Sequence, residues 1–317
     1  MNVDEASAAC SDVLDALGGT VIAERSVLET VILGILARGH VLLEDVPGTG
    51  KTLTARSVAA ALGLSFSRIQ FTPDLLPTDV TGTHVFNEKE RSFEFRKGPI
   101  FANVVLGDEI NRAPPKTQAA LLEAMEERQV TIGGDTHDLP NPFFVIATQN
   151  PVESEGTFPL PEAQIDRFAV KTSIGYPDLD GEIELLRRRA GRTTRSPTVE
   201  GILEGEAAVR DLQAVPETIH VDDDLLEYIA GITRATREDR HVKVGVSPRG
   251  TQRLFEASRA RALIVGRDYV TPDDVKRVAH PVLAHRLVLT PDASVSDISK
   301  EEIIGAVLEQ VAVPTVD

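Results

Sequence analysis

Apolar and polar positions change their spacing along the chain, and these changes indicate its elements. Up to residue 175, short apolar runs alternate with helical stretches, and five runs are candidate strands: 40–46, 65–71, 103–109, 142–150 and 168–174. The middle runs are apolar almost throughout, which is typical of strands covered on both faces. The alternation predicts a parallel sheet with crossover helices, an α/β fold.

Two further segments alternate in the way that antiparallel hairpins do. The first is "THVFNEKERSFEFRKGP", in which two alternating stretches flank the charged turn "NEKER". It predicts a β-hairpin over 83–97, inserted into a helical connection. The second is "RQVTIGGDTHDL", which predicts a smaller hairpin around the glycine pair.

The pattern becomes helical after residue 179, where strand signals nearly vanish. Helices are predicted over 180–190, 205–214, 223–238, 248–264, 272–284 and 300–311. Several begin at good capping residues, such as Asp222, Ser247 and Thr271, the last two followed directly by proline. The polar segment 192–201 lacks periodicity and is predicted to be a loop. We expect two domains, an α/β core with N-terminal helices over 1–178 and an all-α domain over 179–317.

Composition narrows the class of protein. The 317 residues carry a formal net charge of −16, which argues against a general nucleic-acid binder, although a local basic channel is compatible with it. The single cysteine excludes a disulfide framework, and the seven histidines are scattered. No apolar run reaches the length of a membrane span, and Met1 is followed by acidic residues rather than a basic leader. We expect a soluble, cytoplasmic protein.

The first candidate site lies in "LLEDVPGTGKTLT", residues 42–54, between a strand and a helix. Gly48 and Gly50 allow backbone amides to turn inward onto phosphate oxygens, Lys51 supplies positive charge, and the Thr52 hydroxyl is placed to bind Mg²⁺. Phosphate loops of this pattern have glycine where this chain has Asp45, and we expect the Asp45 side chain to point away from the anion. The predicted nucleotide-binding residues are Asp45, Val46, Pro47, Gly48, Thr49, Gly50, Lys51, Thr52 and Leu53.

Two more strands end in residues suited to nucleotide hydrolysis. "VVLGDEINRAP" ends a strand with Asp108, which can hold Mg²⁺ through water, and Glu109, which can polarise an attacking water molecule. "FFVIATQNP" ends a buried strand with Asn150, whose amide is offered to the attacking water or the γ-phosphate. A common turn residue before proline is the alternative interpretation of Asn150.

Two arginines complete the candidate set. Arg167 directly precedes the fifth strand in "LPEAQIDRFAV", and Arg249 lies in the first turn of a predicted helix in "VSPRGTQRL". An arginine in a first turn opposes the helix dipole, which suggests that the guanidinium meets an anion. Stabilisation of charge on a transferred phosphoryl group is one such function, and a surface salt bridge is the alternative.

These motifs, in this order, resemble those of the MoxR family of AAA+ ATPases over about residues 20–290. The similar segments are "GHVLLEDVPGTGKT", "FTPDLLPTDVTG", "GPIFANVVLGDEINRAPPKTQAALLEAMEERQVTI", "FFVIATQNPVESEGTFPLPEAQIDRF" and "SPRG". Members often have an acidic residue at the position of Asp45. The resemblance implies these roles: Walker A for Lys51 and Thr52, Walker B for Asp108 and Glu109, sensor 1 for Asn150, arginine finger for Arg167, sensor 2 for Arg249, and an interface candidate in Arg112.

The family also implies architecture and partners. It implies a five-stranded αβα core with a hairpin inserted in its second helix, a C-terminal helical lid, and ATP with Mg²⁺ between core and lid. It implies a homo-oligomer, a hexameric ring, because the finger is donated across an interface. It further implies a chaperone-like remodeller of a client protein, beside a partner with a von Willebrand factor A domain. Whether Arg249 serves its own nucleotide or a neighbour's stays open at this point.

Two other functions are compatible with parts of the sequence. A nucleotide-dependent scaffold would bind ATP with negligible hydrolysis, but it would not need Glu109, Asn150 and both arginines. A DNA-acting ring motor would be expected to have a basic hairpin, and "NEKERSFEFRK" is mixed in sign. We therefore expect no nucleic-acid partner and no stimulation by single-stranded DNA. The hairpin at 83–97 and the loop at 132–138 could transmit motion to a client or pack against neighbouring subunits.

Overall fold

The computed structural model describes residues 1–151, 156–193 and 197–314. Its strands are β1 Val41–Glu44, β2 Phe66–Gln70, β3 Gly82–Asn87, β4 Ser92–Lys97, β5 Val104–Asp108, β6 Gln129–Ile132, β7 Asp135–Asp138, β8 Phe144–Gln149, β9 Val170–Thr172, β10 Val242–Val244 and β11 Val288–Leu289. Its helices are α1 Val3–Gly18, α2 Arg25–Leu36, α3 Lys51–Ala61, α4 Pro77–Thr81, α5 Pro115–Glu127, α6 Glu162–Ile165, α7 Leu179–Gly191, α8 Glu206–Ala214, α9 Asp223–Glu238, α10 Pro248–Ile264, α11 Pro272–Leu283, α12 Pro291–Val295 and α13 Lys300–Gln310.

The main sheet consists of the five strands that the apolar runs predict. Its order is β2-β5-β8-β1-β9, and every neighbouring pair is parallel. Because the strands run the same way, the residues that follow them meet at one edge of the sheet, which we call the carboxyl edge. The residues that precede them meet at the opposite, amino edge.

Side-chain alternation along the strands produces two apolar layers, one on each face of the sheet. On β1, Val41 and Leu43 face a cluster built with α1, α2 and α3, whereas Leu42 faces a second cluster built with α5. This arrangement confirms the αβα core. The first cluster continues without interruption into α9, α10, α11 and α13, so the proposed division at residue 178 separates segments that share a core.

Both predicted hairpins form. β3 pairs with β4 and β6 with β7, each antiparallel. The first hairpin follows α4, and within residues 71–103 this five-residue helix is the only one. The two hairpins lie against each other, since the rings of Phe95 and His137 stack with their centroids 4.0 Å apart.

The C-terminal region is helical, as the sequence predicts, and its long helices begin and end within a residue or two of the predicted bounds. The prediction that it is all-α was incomplete, because β10 pairs antiparallel with β11. These strands have three and two residues, too few for an alternating pattern to be recognised. Of the predicted loop, residues 194–196 lie outside the described part, and the rest is irregular beyond residue 192. No helix in the described part of the chain is both long and apolar enough to cross a membrane.

Candidate nucleotide-binding site

The phosphate loop connects β1 to α3 at the carboxyl edge. Gly48 and Gly50 have φ angles of 89° and 91°, in the left-handed region that favours glycine. Gly50 is the N-cap of α3 and provides no side-chain acceptor, so the first amides of that helix have no partner within it. A Cβ placed on either glycine would meet nothing within 4 Å, so the space over the loop is open. Exposed amides at a helix N-terminus are suited to bind phosphate.

The ammonium group of Lys51 lies at the mouth of this loop. Its Nζ donates hydrogen bonds to the carbonyl oxygens of Asp45 and Val46, at 2.7 and 2.8 Å. The lysine therefore starts the helix and folds back over the loop that precedes it. This places its charge beside the amides that would receive the phosphates.

The side chain of Asp45 is directed to the segment that follows β9. It is buried, with 6% exposure, and its Oδ2 accepts hydrogen bonds from the amides of Ile174 and Gly175, at 2.7 and 2.8 Å. Its Oδ1 accepts from the amide of Val46 at 2.9 Å. All three donors are backbone amides, which leaves the carboxylate engaged in the protein's own structure.

Asp108 ends β5 and Glu109 directly follows it, at the same edge. Asp108 accepts hydrogen bonds from the Thr148 hydroxyl and the Arg68 guanidinium, each at 2.6 Å. Glu109 has a φ of 56°, and its amide donates to the Thr148 hydroxyl oxygen at 2.9 Å. A left-handed non-glycine residue costs about 1–3 kcal/mol, a strain that is concentrated at functional sites. Thr148 thus connects both acidic residues.

The carboxylate of Glu109 is held by two donors. Its Oε2 accepts a hydrogen bond of 2.8 Å from the side-chain amide of Gln70, which ends β2, and one of 3.1 Å from Arg112. Neither Gln70 nor Thr148 stood out in the sequence. Both end or nearly end a strand, but only the sheet order shows that β2 and β8 flank β5.

Asn150 directly follows β8, which lies between β5 and β1. It is buried, with 6% exposure. The strand order therefore places Asn150 between the acidic pair on one side and the phosphate loop on the other, the position that the sequence motifs predict.

A cavity of about 670 Å³ opens beside the phosphate loop, a size suited to a nucleotide. One wall is formed by the loop and the start of α3. The opposite wall comes from the connection between α1 and α2, the segment after β9 and the inner face of α7, through Thr20, Val21, Ile22, Tyr176, Pro177, Leu185 and Arg188. Sequence reasoning assigned none of these residues, because they carry no motif and only the fold brings them to one cavity.

The donors near the loop fit a magnesium ion. Thr52 and Asp108 offer hydroxyl and carboxylate oxygen, the hard ligands that Mg²⁺ prefers, and Mg²⁺ usually takes only one or two protein ligands beside phosphates and water. Thr52 lies in the first turn of α3, and Asp108 ends β5 two strands away from β1. Within the described ranges no three His, Cys, Asp or Glu side chains form a metal-binding group.

Arg167 and Arg249 lie together, but at the amino edge. Glu126, near the end of α5, binds both: its Oε2 is 2.9 Å from Nη2 of Arg167 and its Oε1 is 2.7 Å from Nη2 of Arg249. The two guanidinium groups therefore share one carboxylate. Side-chain exposures of 30%, 47% and 35% for Arg167, Arg249 and Glu126 leave all three groups accessible.

The sheet separates these arginines from the phosphate loop of the same chain. Arg167 precedes β9 by three residues, whereas the loop follows β1, and the two strands are parallel neighbours with Val41 opposite Val170. The four residues of β1 alone span about 13 Å. The structure does not bring Arg167 or Arg249 to the phosphate loop of their own chain.

Arg286 fixes the segment that carries Arg167. It is 6% exposed and pairs with Asp166 at 3.1 Å, and its Nη2 donates to the carbonyl oxygen of Phe168 at 2.7 Å. Burial lowers the pKa of Arg286 to about 10. Ser247, the N-cap of α10, contacts Asp166 from the other side. Sequence reasoning missed Arg286, since nothing in "AHRLVL" distinguishes it from a surface arginine.

Comparison with known proteins agrees with this geometry. A family model described as "ATPase family associated with various cellular activities (AAA)" matches residues 40–170, and one described as "AAA lid domain" matches residues 234–307. The crystal structure of an ATPase candidate from Cytophaga hutchinsonii superposes with a TM-score of 0.91 and 40% identity, over 98% of this chain and 96% of that one.

Three curated relatives extend over most of the chain. YeaC of Bacillus subtilis is 47% identical over 95% of this chain and 93% of its own length. Chaperone MoxR1 of Mycobacterium tuberculosis is 45% identical over 94% of this chain and 80% of its own length. Protein MoxR of Paracoccus denitrificans is 32% identical over 92% and 91%.

Three features define an AAA+ ATPase fold. They are an αβα core with a phosphate loop after β1, an acidic pair at the end of β5, two positions away in the sheet, and a C-terminal helical lid. Within that class, identities of 32–45% to two MoxR proteins over more than nine-tenths of the chain are decisive. The chain belongs to the MoxR family of AAA+ ATPases.

Proposed function

We propose that the chain hydrolyses ATP with Mg²⁺ in a ring of identical copies, at sites completed by Arg167 and Arg249 of the neighbouring copy. The observation that carries this proposal is the shared Glu126: both arginines are bound to one carboxylate at the amino edge, and the phosphate loop lies at the other edge. Two arginines held side by side are suited to bind a phosphate group. A nucleotide on the phosphate loop of the same chain would lie at the opposite edge of the sheet, beyond their reach.

Each residue at the carboxyl edge has a task in this reaction. Lys51 and the amides at the start of α3 bind the phosphates, while Thr52 and Asp108 would hold the magnesium ion. The ion, when bound, neutralises charge on the β- and γ-phosphates. Glu109 takes a proton from the attacking water, and Asn150 orients that water by its amide.

Arg167 and Arg249 act from the neighbouring copy by stabilising negative charge on the transferred phosphoryl group. In the isolated chain their charges are balanced by Glu126. Phosphoryl oxygens, like the oxygens of that carboxylate, accept hydrogen bonds from guanidinium groups. When the two arginines bind a neighbour's nucleotide, they therefore exchange the Glu126 carboxylate for a phosphate. The desolvation cost of the exchange is small because all three side chains are partly exposed.

We propose a chaperone-like role for this cycle, in which ATP orders the interface between copies and hydrolysis releases it, changing the conformation of a client protein. Support comes from the relative named Chaperone MoxR1 and from the two hairpins, which lie against each other through the stacked rings of Phe95 and His137. A hexameric ring and a partner with a von Willebrand factor A domain belong to the same proposal.

A mixing experiment tests the assembly of the site. Arg167→Ala and Lys51→Ala are each expected to be inactive alone, because one lacks the donated arginine and the other lacks its own phosphate contact. Mixed in equal amounts, they should recover up to about a quarter of wild-type ATPase activity per chain, since a ring with head-to-tail interfaces then contains intact sites by chance. Arg249→Ala should behave like Arg167→Ala in the same mixture.

The control is Arg234→Ala, which removes an exposed arginine paired with Glu238 one turn away. It should leave activity unchanged alone and in mixtures. The contrary outcome is that neither arginine variant recovers activity in the mixture and that wild-type activity per chain is independent of protein concentration. This would mean that the site is completed within one chain. Tight ATP binding without turnover at any concentration would favour a nucleotide-dependent scaffold instead.

A further inference from the structure

Asp45 occupies the position at which phosphate loops of this pattern have glycine, and its side chain is fixed by contacts within the protein. Its carboxylate is buried and accepts three backbone hydrogen bonds, from Val46 in the loop and from Ile174 and Gly175 beyond β9. The last two donors lie 129 and 130 residues away in the chain. A glycine at this position would leave these amides without the acceptor.

The segment that Asp45 holds forms the far side of the nucleotide cavity. Residues 174–178, which we call the wall segment, include Tyr176 and Pro177, both of which line that cavity. The segment ends in Asp178, whose carboxylate accepts from the amide of Gly181 and caps α7. The inner face of α7 then continues the same wall.

Ile174, where the wall segment begins, is buried in the first apolar cluster, but the rest of the segment and α7 have little apolar packing. Among the described residues of α7, no side chain is fully buried. Tyr176 is 75% exposed, and Leu179 is 73% exposed. A helix without a buried face has little apolar packing to fix its position. Hydrogen bonds therefore decide where α7 lies, those at its N-terminal end and one of 3.0 Å from Arg188 to the carbonyl oxygen of Gly18.

We propose that Asp45 is a positioning residue that joins the phosphate loop to the wall segment, so that the phosphates and the base of one nucleotide meet a cavity of fixed width. The proposal deepens the proposed function, since it takes ATP as the ligand. A carboxylate beside a phosphate site would otherwise only repel the anion. Its three amide partners compensate the charge and give it a structural task.

Two explanations of Asp45 predict opposite effects on binding. If its charge alone mattered, a neutral substitute would bind ATP more tightly, because repulsion is removed. If it positions the wall segment, a neutral substitute binds ATP more weakly, because the base meets a displaced wall. Inorganic triphosphate separates the two, since it occupies the phosphate loop and does not reach the wall.

The binding experiment compares wild type, Asp45→Asn and Asp45→Ala with ATP and with inorganic triphosphate as probes, by calorimetry. We expect the Kd for ATP to rise about tenfold, the effect of one or two lost charge-assisted hydrogen bonds. The Kd for triphosphate should stay constant or fall. Equal weakening of both probes, or tighter ATP binding, would overturn the proposal.

The second measurement needs no nucleotide. Hydrogen–deuterium exchange of the amides of Ile174 and Gly175 should be at least about tenfold faster in Asp45→Ala than in wild type, because their acceptor is lost. Unchanged exchange would overturn the proposal. If the wild type bound no ATP, the proposed function would fail, and exchange would still decide whether Asp45 holds the wall segment.

Glu44→Gln is the matched control. Glu44 is the preceding residue, but its carboxylate pairs with Lys171 at 2.6 Å and accepts from Gln149, away from the wall segment. The substitution removes the same charge one residue away. The hydrogen–deuterium exchange rates of the Ile174 and Gly175 amides should stay unchanged in this variant. The ratio of the Kd values for ATP and triphosphate should also stay unchanged. Asp45→Asn, which keeps the size of the side chain, guards against a general folding defect in Asp45→Ala.

Discussion

The side-chain amide of Gln70, the last residue of β2, donates a hydrogen bond of 2.8 Å to the carboxylate of Glu109, which directly follows the neighbouring strand β5. Glu109 is the residue we propose as the base that activates water. A hydrogen bond to a carboxylate oxygen holds the group in one orientation and occupies an acceptor site that the proton of the attacking water would need. Gln70 therefore restrains the base, and Arg112 does the same from the following turn.

Removal of this restraint should raise basal turnover. In Gln70→Ala we expect the ATPase rate at saturating ATP to increase about two- to fivefold, because a carboxylate released from this hydrogen bond turns more readily to the attacking water and accepts its proton. Steady-state phosphate release measures this. Gln149→Ala is the matched control, a glutamine at the end of β8 whose amide donates to Glu44 and not to Glu109. A fall in the rate of Gln70→Ala would mean that Gln70 supports Glu109 in its active position.

Replacement of the base itself should stop the reaction without preventing binding. We expect Glu109→Gln to reduce turnover by at least about a hundredfold, because an amide of the same shape cannot accept the proton. ATP affinity should stay within about threefold of wild type, since the phosphate contacts belong to the loop. Full turnover in this variant would remove Glu109 from the mechanism. Glu123→Gln, on the exposed side of α5, is the control.

The buried His40 should make stability depend on pH. Its Nδ1 accepts from the amide of Val145 at 2.9 Å and its Nε2 lies 3.0 Å from the carbonyl oxygen of Met125, a pairing that only the neutral ring satisfies. Burial, with the charge of Arg128, lowers the pKa of His40 well below its ordinary value of 6.5. The unfolded chain therefore binds the proton first, and stability falls as the pH drops below 6.5.

In His40→Gln we expect the free energy of unfolding to fall less steeply with decreasing pH, by about 1.4 kcal/mol per pH unit between pH 6.5 and 5. Urea unfolding at several pH values measures the slope. The variant should also lose about 1–2 kcal/mol at pH 7.5, since one buried hydrogen-bonding group is left unpaired. His220→Gln is the control, because that side chain is 68% exposed. An unchanged slope in His40→Gln would contradict the assignment of a neutral ring.

Arg286 should be essential to stability. We expect Arg286→Met to lower the free energy of unfolding by about 3–5 kcal/mol, because Asp166 and the carbonyl oxygen of Phe168 lose a buried partner. Chemical denaturation measures this. Arg234→Met, at an exposed position, should change stability by less than about 0.5 kcal/mol. A loss of less than about 1 kcal/mol for Arg286→Met would show that solvent replaces these contacts.

The hairpins illustrate what local pattern can and cannot predict. Alternation around "NEKER" and around the glycine pair Gly133–Gly134 placed both hairpins, because cross-strand pairing over a short turn depends on neighbouring residues. Their mutual contact through Phe95 and His137 was not predicted. The two rings are far apart in sequence, and each alternating pattern says only that one of its faces is apolar.

The sequence by itself determined the order and bounds of the main elements, the phosphate loop and the acidic pair. These depend on helical or strand periodicity, on glycine's access to left-handed angles at Gly48 and Gly50, and on contiguous motifs. The tertiary structure alone decided the sheet order, and with it the neighbours of Glu109, the partners of Asp45 and the meeting of Arg167 and Arg249 on Glu126 at the edge away from the loop. Parallel strands are joined by long crossovers, so which strand ends become neighbours is set by the packing of the whole chain and not by residues near each strand.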